Sequence, residues 1–186
     1  MRQRLINPKS SDDTSHVPEL VVFADKAYAS ICKAAKEAST IMTGGFFLGH
    51  VLDNGGWIVI DTVDSGPKTI ADNNSWEYDH EYVNIEATRI ASLYSFPLSL
   101  LGLWIFHPNG LQYHSRQSDD TNFLFANMND YGAISGIATF DDGLHLRLLY
   151  LGRNRYPNSN EKDSGYTDVE FEIGNDIIPE EYLKLK

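Results

Sequence analysis

His107 and Pro108 follow the most apolar run of the chain, Leu100 to Phe106, and the next residues include His114, Ser115, Ser118, Asp119 and Asp120. Imidazole and carboxylate groups in one short stretch are the ingredients of a zinc site. A catalytic zinc takes about three protein ligands and leaves a fourth position for a water, which a nearby carboxylate activates. His107 and Asp119, with His114 as a third donor, make one set from which such a site could be drawn, and Asp79-His80-Glu81 invites a metal reading too. His107 alone, or His107 with Asp119, falls short of three.

Each of these residues also has a simpler part to play. Ser118 reads as the N-cap of a helix, with Asp119 and Asp120 in a first turn where negative charge suits the helix dipole. His114 reads as a solvated loop histidine and His50 as a strand-end one. His107, held before a proline, reads as a side chain that bonds the loop backbone and so fixes its tautomer. Glu37 falls on a helix surface. Asp79-His80-Glu81 reads as a solvated helix start, because adjacent helical residues point in different directions. No Gly-rich phosphate loop and no serine elbow occurs, so nucleotide binding and serine hydrolysis have no support.

The elements that would carry these groups follow from periodicity. Glu19 to Phe23 is β-like, and Ala27, Ile31, Ala34 and Ala35 give Ala24 to Ala38 helical spacing. Phe46 to Leu52 and Trp57 to Val63 form a hairpin across Asp53-Asn54-Gly55-Gly56. A polar loop runs from Asp64 to Ser75, a helix spans residues 79–94, and Leu100 to Phe106 has the unbroken apolar character of a strand buried on both faces. Residues 118–128 read as a helix, and residues 132–140 and 144–151 as a second hairpin. Strands and helices in this order predict an α/β or α+β domain, a mixed sheet flanked by helices. Residues 1–17 read as a polar arm and 18–151 as the domain. Residues 152–186 read as an extension, a linker plus an edge strand or partner-binding tail at Asp168 to Ile173.

Three segments gain meaning when taken together: Met42-Thr43-Gly44-Gly45-Phe46-Phe47-Leu48-Gly49, Gly102-Leu103-Trp104-Ile105-Phe106-His107-Pro108, and Ser115-Arg116-Gln117-Ser118. In this order and at these separations the chain resembles the JAB/MPN (JAMM, Mov34) family over roughly residues 20–151. Asp120-Thr121-Asn122 resembles the family's bacterial members. The resemblance implies a JAB/MPN-like, cytidine-deaminase-like fold. Active members are zinc-dependent isopeptidases and peptidases, often acting on ubiquitin-like chains, with a glutamate, two histidines and an aspartate in their site. Here the glutamate position falls on Met42, the first histidine on Ile105 and the aspartate on Ser118; only the second histidine stands, as His107. Methionine cannot exchange a proton, and apolar side chains raise the cost of placing a cation without supplying a ligand. The expectation is a catalytically degenerate domain without cofactor, with His107, Ser115 and Trp104 kept for binding; zinc held by His107 and Asp119 is the alternative.

The chain has 186 residues with Lys+Arg 15 against Asp+Glu 26, a formal net charge of −11. So acidic a surface repels phosphate backbones and anionic lipid, which argues against nucleic acid and membrane surfaces and favours a protein or peptide partner. From the resemblance, that partner would be a ubiquitin-like modifier or another JAB/MPN protein. Cys32 cannot form an internal disulfide and lies on an amphipathic helix, where it reads as a buried structural thiol. With no export signal or apolar span, the expected location is cytoplasmic, and the Asn73-Asn74-Ser75 sequon has no consequence there.

Overall fold

The structure, a computed structural model, describes residues 17–157 and 164–186. The expected N-terminal arm therefore lies, apart from Val17, outside the described residues.

The chain forms β1 (Val21–Phe23), α1 (Asp25–Ala38), β2 (Thr43–Val51), β3 (Trp57–Asp64), β4 (Ile70–Ala71), β5 (Trp76–Glu77), α2 (His80–Ser92) and β6 (Ser99–Phe106). It continues through α3 (Arg116–Met128), β7 (Ala133–Phe140), β8 (Leu144–Leu151), β9 (Tyr166–Val169), β10 (Phe171–Ile173) and α4 (Glu180–Leu183). Eight strands make one mixed sheet in the order β10-β1-β3-β2-β6-β7-β8-β9, and β4 and β5 pair separately. The fold is thus mixed α/β with a large sheet flanked by helices.

Two hairpins and a parallel crossover build the centre. β2 pairs antiparallel with β3 and β6, β6 pairs parallel with β7 across α3, and β7 returns antiparallel as β8. A parallel pair needs a long crossover, and α3 provides it. The middle strands bury Phe46, Phe47, Leu103, Ile105 and Ile134 to below 2% exposure. Phe23 meets Phe47 edge-on at 5.5 Å, a favoured aromatic arrangement. On α1 the buried stripe Ala27, Ile31, Ala35 repeats every four residues and packs the helix against β2 and β3.

Gly102 shows why this sheet needs a glycine. The β2–β6 register shifts between Phe47 and Leu48, so that Leu48 pairs with Leu100 and Leu101 is bulged out. Gly102 beside the bulge has φ +146°, and a Cβ there would come within 1.8 Å of the Ile134 carbonyl oxygen.

Residues 166–173 belong to the sheet on both of its edges. β9 pairs antiparallel with β8, and after Glu170 alone β10 pairs parallel with β1. These strands stand at opposite ends of the strand order, so the C-terminal chain joins the two edges and nearly closes the sheet on itself. Asp168 to Ile173, expected as an edge strand or partner-binding tail, lies, apart from Glu170, in the two edge strands of the sheet, paired with β8 and β1.

Several expectations need correction. The polar loop from Asp64 to Ser75 contains β4, which β5 pairs with immediately afterwards. The third helix starts at Arg116, two residues before the expected start, and α4 had no periodicity to announce it. Cys32 is half-exposed rather than buried, because it lies beside the Ala27–Ile31–Ala35 stripe and not on it. No helix among the described residues is long and apolar enough to cross a membrane.

Candidate functional site

Strand register sets the three segments side by side. Thr43 pairs with Phe106 and Gly44 with Ile105, so Met42 stands one residue outside the register on the side of His107. Met42 is 2% exposed, and its N–H donates to the Asp72 carbonyl at 2.6 Å. Ile105 lies fully buried in β6, paired with Ile137 on β7. Met42 and Ile105, two of the positions that the resemblance singles out, are therefore sealed apolar side chains with no proton to exchange.

His107 leaves β6 with its N–H bonded to the Ala138 carbonyl at 2.9 Å, and its own carbonyl accepts from Gly110 at 3.1 Å. The backbone, not the imidazole, thus makes these loop bonds. Its Nε2 is buried without a hydrogen-bond partner. Burial lowers the ring's pKa and keeps it neutral.

Helix α3 opens on Ser115, whose Oγ accepts from the Ser118 N–H at 3.2 Å. Ser115 is therefore the cap, and Ser118 sits inside the first turn, buried, with its Oγ 3.0 Å from that of Ser115. Asp119 is buried too. Instead of facing solvent near the helix start, it accepts a hydrogen bond from the Tyr166 hydroxyl of β9 at 2.9 Å. Asn122 Nδ2 donates to the same hydroxyl at 2.9 Å. Burial, then the Asp119 carboxylate, pushes the Tyr166 pKa far up, so the phenol stays protonated as the donor.

His114 was expected in solvent and is instead fully buried. Its Nε2 lies 2.8 Å from Ser135 Oγ on β7, and its ring centroid is 5.5 Å from that of Tyr166. Burial first, then repulsion from His107 and Arg147, lowers its pKa to about 3. In an open cleft a serine and a histidine at this distance would suit nucleophilic chemistry. Ser135 is 1% exposed and His114 0%, so no substrate reaches them and the pair acts as a core fastening.

The remaining candidates disperse. Trp104 is a core residue whose Nε1 is buried without a partner. His50 is half-buried on β2, with Nε2 sealed and its ring 5.0 Å from Tyr182. Glu37 is exposed on α1 near Lys33. Asp79, 8% exposed, caps α2 by accepting from the Tyr82 N–H, while the His80 ring lies tilted against Tyr78 with centroids 4.1 Å apart. Among the described residues no three His, Cys, Asp or Glu side chains come together as a set that could hold a metal. His114 and Asp119 each meet Tyr166, one by ring contact and the other by hydrogen bond, and the donors present do not fit a catalytic zinc.

Ser135, Asn122 and Tyr166 were missed. Asn122 was within reach of sequence reading, since Ser118, Asn122, Phe125 and Ala126 fall on one buried stripe of α3. Tyr166 comes from a strand whose return to α3 has no local signal.

No family model matches the chain, and no curated protein matches it. Among solved structures it is similar to the solution structure of protein DSY2949 from Desulfitobacterium hafniense, with a TM-score of 0.56 and 13% identity. That likeness covers 82% of this chain and 92% of the other, and at such identity it shows a shared fold alone.

Proposed function

We propose that the chain is a JAB/MPN-like domain whose metal-dependent chemistry has been lost, and that it works by holding another protein or a peptide. One observation carries this reading. The positions that would supply glutamate, histidine and aspartate are the buried side chains of Met42, Ile105 and Ser118, while the one surviving histidine keeps an unpartnered ring nitrogen. The nearby groups that could replace the lost ligands have other partners: Tyr166 bonds Asp119 and Ser135 lies against His114.

Family members without metal residues commonly pair with active relatives or serve as scaffolds, which is what the resemblance implies for this chain. A ubiquitin-like modifier or another JAB/MPN protein is the partner class it favours. The net charge of −11 suits a neutral or basic partner surface. Elemental analysis of the purified chain, with cleavage assays on ubiquitin-like fusions, tests the reading. The expected result is no stoichiometric zinc and no cleavage, and a zinc-loaded chain that cuts such a fusion overturns it.

A further inference from the structure

The C-terminal chain leaves one sheet edge before it has covered it. β9 pairs with Leu148 to Leu151, the downstream half of β8, and the register ends at Leu148–Val169. Glu170 then turns the chain to β1, where its carbonyl accepts from the Val21 N–H at 3.1 Å and β10 begins. Leu144, His145 and Leu146 consequently pair with β7 on one side and with no strand among the described residues on the other. Alternate residues of a strand direct N–H and C=O to each side, so this half of β8 carries backbone groups with no strand partner among the described residues.

Between the upstream half of β8 and the departing β10 lies a cleft of about 350 Å³, lined by apolar Leu20, Leu146 and Phe171. Its rim bears Asp168, Glu170 and Glu172. Asp168 is held by Arg147 through two bonds of 2.6 and 2.9 Å. Glu170 and Glu172 are exposed and have no cationic partner among the described residues.

We infer that this fork is a docking site for an extended basic segment of a partner protein, which adds a strand between β8 and β10. The unpaired backbone of Leu144 to Leu146 supplies main-chain hydrogen bonds. Alternate apolar side chains of the segment enter the Leu20–Leu146–Phe171 floor, and lysines or arginines on its other face meet Glu170 and Glu172. Because β8 and β10 run antiparallel, one inserted strand lies antiparallel to one and parallel to the other. A second copy of this chain is the weaker occupant, since each copy carries −11 and presents the same acidic rim. The inference rests on the protein-contact reading above but not on the family resemblance.

Amide chemical shifts of the full chain test it, titrated with an eight-residue synthetic peptide alternating valine and lysine, and with a valine–glutamate counterpart. The lysine peptide is expected to shift the amides of residues 144–147 and 170–173 and to bind at least tenfold more tightly than its counterpart. The exposed double variant E170K/E172K is expected to reverse that preference while leaving the far-ultraviolet circular dichroism unchanged. Equal response to both peptides, shifts confined to other surfaces, or a concentration-dependent dimer protecting the same amides without peptide would each overturn it. Zinc binding and isopeptidase activity with the peptide still seated in the fork would sink the proposed loss of chemistry and leave this site standing.

Discussion

Tyr166 and Asp119 lie 47 positions apart in sequence and meet at 2.9 Å, phenol to carboxylate, inside the protein. This bond ties the strand that completes one sheet edge to the helix that follows the histidine loop. Tyr166 is the donor, and Asn122 donates to it in turn.

Replacing Tyr166 with Phe keeps the ring and removes the hydroxyl. A buried carboxylate then loses a donor, and the Asn122 amide loses its acceptor while its Oδ1 already lacks a partner. Hydrogen bonds to charged groups contribute about 1.5–3 kcal/mol, so Y166F is expected to lower the unfolding free energy, read from urea denaturation, by an amount in that range. A double-mutant cycle with D119N isolates the pair, and additive effects of the two substitutions would show that the bond does not form in solution.

Protonation of His114 should unfold the protein from the acid side. Its pKa is lowered to about 3 in the folded chain against an ordinary value of 6.5. The unfolded state therefore binds the proton more readily, and stability is full above pH 6.5 and falls as pH drops toward 3. The slope is at most about 1.4 kcal/mol per pH unit for one such group. His107, also lowered by burial, acts in the same sense. Chemical denaturation from pH 7 to 4 should show a shallower pH dependence in H114Q than in the parent. Parallel curves would place the acid sensitivity elsewhere.

Asn175 caps a helix it does not belong to. α1 begins after Ala24, which has no side-chain acceptor, and Asn175 Oδ1 takes the Asp25 N–H at 3.1 Å. N-cap substitutions cost about 0.5–2 kcal/mol, and N175A is expected near the lower end because the site is exposed. N175D, which keeps the acceptor, should restore the melting temperature. If N175D melts with N175A, the carboxamide is not the cap.

The central elements were legible because their patterns are local. The continuous apolar run at Leu100 to Phe106, the Asp53-Asn54-Gly55-Gly56 turn and the Ala27–Ile31–Ala35 spacing each declare an element without reference to the rest of the chain. The site was legible only as a list of positions. His114 looked like a loop residue because Ser135 and Tyr166, which accompany it in the interior, come from strands 21 and 52 residues onward. Asp119 looked like a dipole-complementing acid because its donor is likewise non-local. The C-terminal strands were ambiguous for a related reason: an alternating segment shows that an edge will be paired, not which edge.

Gly102 is expected to tolerate no side chain. Its positive φ and the 1.8 Å approach of a Cβ to the Ile134 carbonyl oxygen involve backbone on both sides, so no rotamer change relieves them. Strained φ/ψ alone costs on the order of 1–3 kcal/mol, and G102A should exceed that by displacing β6 from β7. Thermal unfolding should fall by many degrees, with the loss of hydrogen-exchange protection centred on residues 102–106 and 134–138. A near-native melt would mean that the bulge can relax.

Rebuilding the lost ligand set bears directly on the proposed ancestry of the site. Burial lowers the His107 ring pKa, and its Nε2 is buried and unpartnered. I105H and S118D would add a second imidazole and a carboxylate at the positions where the resemblance places them. Both enter sealed surroundings, so the double variant should be less stable than the parent when metal-free. Zinc that binds only the folded state then raises stability by about 2.7 kcal/mol at a hundred times its dissociation constant. The expected outcome is a thermal midpoint that climbs with added zinc in I105H/S118D and stays fixed in the parent, with M42E needed besides for any cleavage. If the double variant folds but its midpoint ignores zinc, these three positions do not converge on one metal, and the JAB/MPN reading of the site fails.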